Sequence, residues 1–160
     1  MSWRVPVTTQ QPLGTQRPKR VVRTVVRRGI GVAGDVTLTF PVPGGQRWRI
    51  VNIVWRLAYN ADHDQVMRIT YLNGNPVDNI IFLQYAAPYD KNSLEVGNAY
   101  HGAAGTLTEW AEGAQTYRYQ GKGIPDFELS EGMALEIVIE NRAVNESYGI
   151  YMTYEEVTDV

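Results

Sequence analysis

Few residues in this chain are able to move protons or hold metals. There are two histidines, His63 and His101, and no cysteine. Disulfides and thiolate metal sites are therefore excluded. Asp62, His63 and Asp64 set three ligand types side by side, but adjacent residues do not readily converge on one ion and no calcium-loop spacing follows. A solvated turn over residues 60–64 is the simpler reading. No His-x-His pair is present, which argues against the two-histidine metal enzymes built on β-barrels. Neither a Gly-x-Ser-x-Gly elbow nor a Gly-x-x-x-x-Gly-Lys phosphate loop occurs. Glu109 and Glu112 are close enough in sequence to suggest a glycosidase pair. Thr106 and Glu109 also fit a capping box, with Gly113 as a stop, so a short helix over 107–112 with a solvated acidic face explains them better. The expectation is a protein that is not an enzyme, with no cofactor and no metal.

The chemistry on offer is that of binding. Residues 1–30 carry seven basic residues and no acid, whereas all 17 acids lie beyond, against eight basic residues. Such a split points to two functional parts: a basic extended arm over 1–30 and a folded domain over 31–160. The first 18 residues hold Pro6, Pro12, Pro18 and Gly14, which suit an extended arm. The partner-binding residues expected there are Trp3, Arg4, Arg17, Lys19, Arg20, Arg23, Arg27 and Arg28. An acidic protein neighbour or another subunit suits them. Nucleic acid is the less favoured partner, because the valine pairs between the arginines favour strand over a disordered tail. Residues 19–28 also read as an edge strand guarded by arginines.

A second binding candidate is the stretch 85–123, rich in glycine, alanine and tyrosine. Its expected recognition residues are Tyr100, Trp110, Tyr117 and Tyr119, whose amphipathic rings suit protein interfaces and sugar platforms alike. Asn145-Glu146-Ser147 also matches a glycosylation acceptor, a short pattern frequent by chance.

The elements that must position these groups are strands. Leu135, Ile137 and Ile139 alternate with Glu136, Val138 and Glu140, and Tyr148, Ile150, Met152 and Tyr154 alternate with Gly149, Tyr151, Thr153 and Glu155. Period-two alternation is what a half-buried strand requires, since successive side chains point to opposite faces. The same reading gives strands over 20–28, 35–41, 47–59, 65–72, 77–84, 115–120, 127–141 (with a break at Ser130-Glu131-Gly132) and 148–156. Asn73-Gly74 marks a hairpin. The strand 47–59 is apolar on both faces under strict alternation: Val51, Ile53, Trp55 and Leu57 on one, Trp48, Ile50 and Val54 on the other. A solvent-facing sheet does not show this. Either the strand is covered on both sides, or Trp48, Ile50, Val54 and Arg56 form an oligomer interface. No apolar run approaches the ~18 residues of a membrane span, and the start lacks the apolar core of a signal peptide.

The fold expected is all-β: an antiparallel, jelly-roll-like β-sandwich of about eight strands with an extended N-terminal arm. The arm, the sandwich and the run from Phe127 to Tyr154 resemble small virion proteins of viruses and bacteriophages, especially capsid decoration (cement) proteins. That resemblance implies a non-enzymatic virion structural protein, a homotrimer on the capsid surface made in the host cytoplasm, with the capsid shell protein as partner and no membrane. Two alternatives stay open. One is a glycan- or receptor-binding sandwich of a virion or tail; the other is a small-virus coat protein whose basic arm binds the genome.

Overall fold

A computed structural model describes residues 19–30, 33–75, 79–89, 93–100, 106–112, 115–124 and 128–158. Every regular element among them is a strand: β1 (Lys19–Ile30), β2 (Gly34–Pro41), β3 (Gln46–Ala58), β4 (His63–Leu72), β5 (Ile80–Tyr89), β6 (Ser93–Tyr100), β7 (Thr106–Glu112), β8 (Gln115–Gly123), β9 (Glu128–Ser130), β10 (Ala134–Arg142) and β11 (Ser147–Thr158). They form two sheets. The long sheet has the order β1-β11-β3-β6-β8-β7, with β9 also pairing β3; the short sheet has the order β2-β10-β4-β5.

This order is that of a jelly roll. The pairs β1·β11, β2·β10, β3·β6 and β4·β5 are nested within one another along the chain and fall alternately in the long and the short sheet. A long antiparallel ribbon wrapped into two layers gives this arrangement, and it makes two Greek keys from eight strands. The remaining three strands, β7 to β9, are inserted between β6 and β10 and extend the long sheet. Within the insertion β8 runs parallel to β6, the one departure from antiparallel pairing among the described strands. The Ser130-Glu131-Gly132 break separates β9 from β10, and Gly132 there has φ +84°, a backbone state that glycine enters without steric cost.

The core lies between the sheets. Leu135, Ile137 and Ile139 of β10 and Met67, Ile69 and Tyr71 of β4 face Ile50, Ile53 and Trp55 of β3 and Ile150, Met152 and Tyr154 of β11, all buried. The Trp48 and Tyr154 rings pack with centroids 4.2 Å apart. Trp55 is fully buried and donates its indole N–H to Glu95 Oε1 at 2.8 Å. That bond satisfies the indole and gives one partner to a carboxylate that would otherwise be costly to bury.

Four expectations are corrected. The boundary at residue 30 does not separate arm from sandwich, because β1 pairs with β11 from Lys19 to Ile30; of the arm residues, Trp3, Arg4 and Arg17 lie outside the described residues. The helix over 107–112 is strand β7, held antiparallel to β8; Thr106, Thr108 and Trp110 favour strand, and tertiary pairing overrides a local cap. The strand β6 is one that alternation misses. Its core-facing positions are Ser93, Glu95, Gly97 and Ala99, and these are small or charged because Trp55 fills the space above them. A Cβ on Gly97 would lie 1.8 Å from Trp55 Cε2.

The fourth correction concerns β3. Thr153 of β11 pairs with Asn52, but Tyr154 pairs with Ile50. Val51 is the extra residue of a β-bulge, which shifts the alternation by one. Trp48 and Ile50 before the bulge therefore face the core together with Ile53, Trp55 and Leu57 after it. The two apolar faces are one face, and Trp48 and Ile50 are core residues rather than an oligomer interface.

Candidate functional site

Alternation dictates that a two-layer sandwich exposes its second sheet faces, and the two outer faces here differ. On the short sheet the outer cross-strand rows run Thr37-Val138-Arg68 and Thr39-Glu136-Thr70-Ile81, with Glu140 opposite Val66. Arg68 and Glu140 form an ion pair at 3.0 Å. This face is mainly polar but mixed: Val138 is buried on it and Ile81 is 52% exposed.

The outer face of the long sheet is apolar over much of its extent. The cross-strand rows run Thr24-Thr153-Asn52-Tyr100, then Val26-Tyr151-Val54-Asn98, then Arg28-Gly149-Arg56-Val96, then Ile30-Ser147-Ala58-Leu94. Val22, Val26, Ile30 and Tyr100 are 65%, 41%, 72% and 41% exposed. On a soluble protein, clustered apolar exposure of this kind marks an interaction surface. Of the four interface residues expected from β3, Val54 and Arg56 do lie on this face, Val54 half-buried and Arg56 exposed.

The aromatic recognition residues belong to the same sheet. Tyr100 ends β6 on the outer face. Tyr119 is half-buried and pairs in register with Val96, and Tyr117 pairs with Leu94. Trp110 stands opposite Tyr117, and Thr108 opposite Tyr119. The aromatic positions expected for recognition are thus strand positions, and Tyr119 and Tyr117 continue the Arg28 and Ile30 rows in register. Glu109 and Glu112 are strand positions of β7, in register with Arg118 and Gln115 of β8. His63 starts β4, in register with Tyr89; His101 lies outside the described residues.

The arginines of β1 are engaged within the chain. Arg23 Nε donates to Glu156 Oε2 at 2.5 Å, and that bond raises the Arg23 pKa above its ordinary value. Arg20 lies 3.7 Å from Glu155. Arg27 sits 5.5 Å from the centre of the Phe40 ring. Arg28 Nε donates to the Tyr151 hydroxyl at 3.1 Å, and its guanidinium lies 5.3 Å from the centre of that ring. These contacts tie a solvent-exposed edge strand to β11 and to the short sheet.

Beside Arg28 the face opens into a groove of about 570 Å³, floored by Gly149 and Ala58 and walled by Ile30, Arg56, Leu94 and Tyr151. Sequence reasoning did not single out Gly149, Ser147 or Tyr151. The available signal was a glycine inside an alternating strand, which marks a close approach or a notch. The corner below the groove is rigid: Glu146 accepts from the Ala143 and Asn60 backbone N–H groups at 3.0 and 3.2 Å, and Arg142 donates to the Glu146 carbonyl.

No protein-family model and no curated protein matches this chain. Among solved structures, it is similar to a chain of infectious bursal disease virus, Gx strain, at 14% identity and a TM-score of 0.34. It is similar to a chain of the Gt strain at 10% identity and a TM-score of 0.33. In both cases 89% of this chain is covered, and it spans 32% of the other's length. A third similarity, to the VP2 subviral particle of the same virus, has 11% identity and a TM-score of 0.21, covering 97% of this chain and 46% of the other. All three come from virus or subviral particles. At scores this low the likeness bears no weight, and the jelly-roll assignment rests on the strand order.

Proposed function

We propose that this chain is a non-enzymatic structural subunit of a virus particle, a capsid decoration or minor capsid protein that associates through the outer face of its long sheet. The observation that carries the reading is the clustering of exposed apolar side chains on one outer face: Val22, Val26, Ile30 and Tyr100 lie on the long sheet, against Ile81 on the short one, among the described residues. Apolar sheet faces of this extent are stable in water when another subunit covers them. Jelly-roll sandwiches are a common architecture of capsid proteins, though fold by itself does not fix function. The resemblance adds a closed homotrimer on the capsid surface, with the shell protein as its partner.

The genome-binding alternative draws less support, since Arg20, Arg23, Arg27 and Arg28 are already engaged with Glu155, Glu156, Phe40 and Tyr151. Light scattering of the full-length chain after size exclusion tests the reading. The expected result is a closed oligomer that Val26→Asp converts to monomer, because a carboxylate at that position places an unpaired charge in the interface. A wild-type chain that stays monomeric at every concentration would overturn it.

A further inference from the structure

We propose that the groove at the Ser147 end of the long sheet is a binding site for a carboxylated saccharide. The argument begins with register. Arg28, Gly149 and Arg56 lie in one cross-strand row on β1, β11 and β3. Neighbouring strands are about 4.8 Å apart, so the two arginine backbones are about 10 Å apart across a residue without a side chain. Like charges on one sheet face repel, and an anion seated between them removes the repulsion. Arg56 is exposed and has no ion-pair partner among the described residues. Among the described residues no carboxylate lines the groove, although the body of the chain is acidic. A guanidinium matches a carboxylate with two parallel hydrogen bonds.

The walls favour a sugar as the body carrying that carboxylate. Tyr151 leans over Gly149: a Cβ there would meet Tyr151 Cε2 at 3.3 Å. Arg28 holds the ring by its hydroxyl. A fixed tyrosine face beside a cation suits the apolar face of a pyranose ring, with the Ser147 hydroxyl across the notch. Ala58 and Leu94 complete an apolar floor, and the volume falls within the range of small-ligand sites. This site does not depend on the shell reading, since it occupies one end of the face, away from Val22 and Tyr100.

The test is saturation-transfer NMR and titration of the full chain with sialyllactose and a galacturonic acid disaccharide, with lactose as the neutral control and an Asp/Glu-rich peptide as the competing chemistry. The expected result is binding of an acidic sugar at millimolar or lower concentration, with lactose at least tenfold weaker. Arg56→Ala weakens it at least tenfold and Arg56→Lys less. Gly149→Val, which fills the notch, abolishes it. Circular dichroism identical to wild type keeps the Gly149 result interpretable, and Arg56, exposed and unpaired, is replaced without cost to the fold. Equal binding of lactose, binding of the peptide alone, no binding of either acidic sugar, or binding indifferent to Arg56 would each overturn the proposal. Val22→Asp, at the other end of β1, leaves sugar binding unchanged while testing association, so the two readings fail separately.

Discussion

Trp55, Gly97 and Glu95 act as one unit. The indole lies fully buried over β6, its N–H satisfied by a carboxylate that is itself buried. Gly97 is required by space rather than by backbone freedom. Gly97→Ala pushes a methyl into the Trp55 ring and is expected to cost about 3 kcal/mol, the upper end for overpacking a core. Urea unfolding, read as a lower midpoint at unchanged slope, checks this. Tyr154 carries a second consequence. Burial raises its phenol pKa above the ordinary value, and the charge on Glu156 adds to this. As pH climbs, the unfolded chain therefore ionises first. The stability held by the neutral phenol is fully present below the unfolded tyrosine value of about 10 and is lost as pH rises through the folded value. Thermal melts above about pH 10 are expected to fall more steeply for wild type than for Tyr154→Phe. Equal slopes would show that the phenol does not couple to folding.

At the scale of elements, legibility followed the side chains. β2, β4, β10 and β11 were readable because their core positions are large and apolar and alternate without interruption. β6 was not, since its core face is Ser93, Glu95, Gly97 and Ala99, residues chosen to fit beneath a tryptophan of another strand. β7 was misread because a capping pattern is local and its pairing with β8 is not. The bulge at Val51 is invisible in one strand alone; it exists only in the register between β3 and β11. That single residue decided whether Trp48 and Ile50 belonged to the core or to an interface. The groove was hidden for the same reason, since Arg28, Gly149 and Arg56 are far apart in sequence and meet only through strand pairing. β1 shows how charge patterning misleads about a boundary. Its arginines mark an edge strand docked by Arg23 on Glu156 and Arg27 on Phe40. Deleting residues 1–30 removes the whole of β1, strips β11 of one partner and exposes its backbone. The expected outcome is aggregation or a large fall in Tm, measured by scanning fluorimetry and size exclusion. An intact, equally stable body would contradict the placement of β1 in the sheet. Arg23→Ala is expected to act in the same direction but mildly, by leaving the Glu156 carboxylate without its guanidinium.

The molecule as a whole is asymmetric across its two layers. The outer face of its short sheet is mixed and mainly polar, and that of its long sheet gathers Val22, Val26, Ile30 and Tyr100, with a cationic groove at one end. A monomeric sandwich has no reason to keep Val22, Val26, Ile30 and Tyr100 in water, whereas a subunit of an assembly does. Side-chain footprinting with hydroxyl radicals tests this most directly, comparing the full-length chain with Val26→Asp. The account predicts that Val22 and Tyr100 are protected in wild type and labelled in the variant, while the outer face of the short sheet is labelled equally in both. Equal labelling of Val22 and Tyr100 in the two proteins would contradict the assignment of this face as the interface.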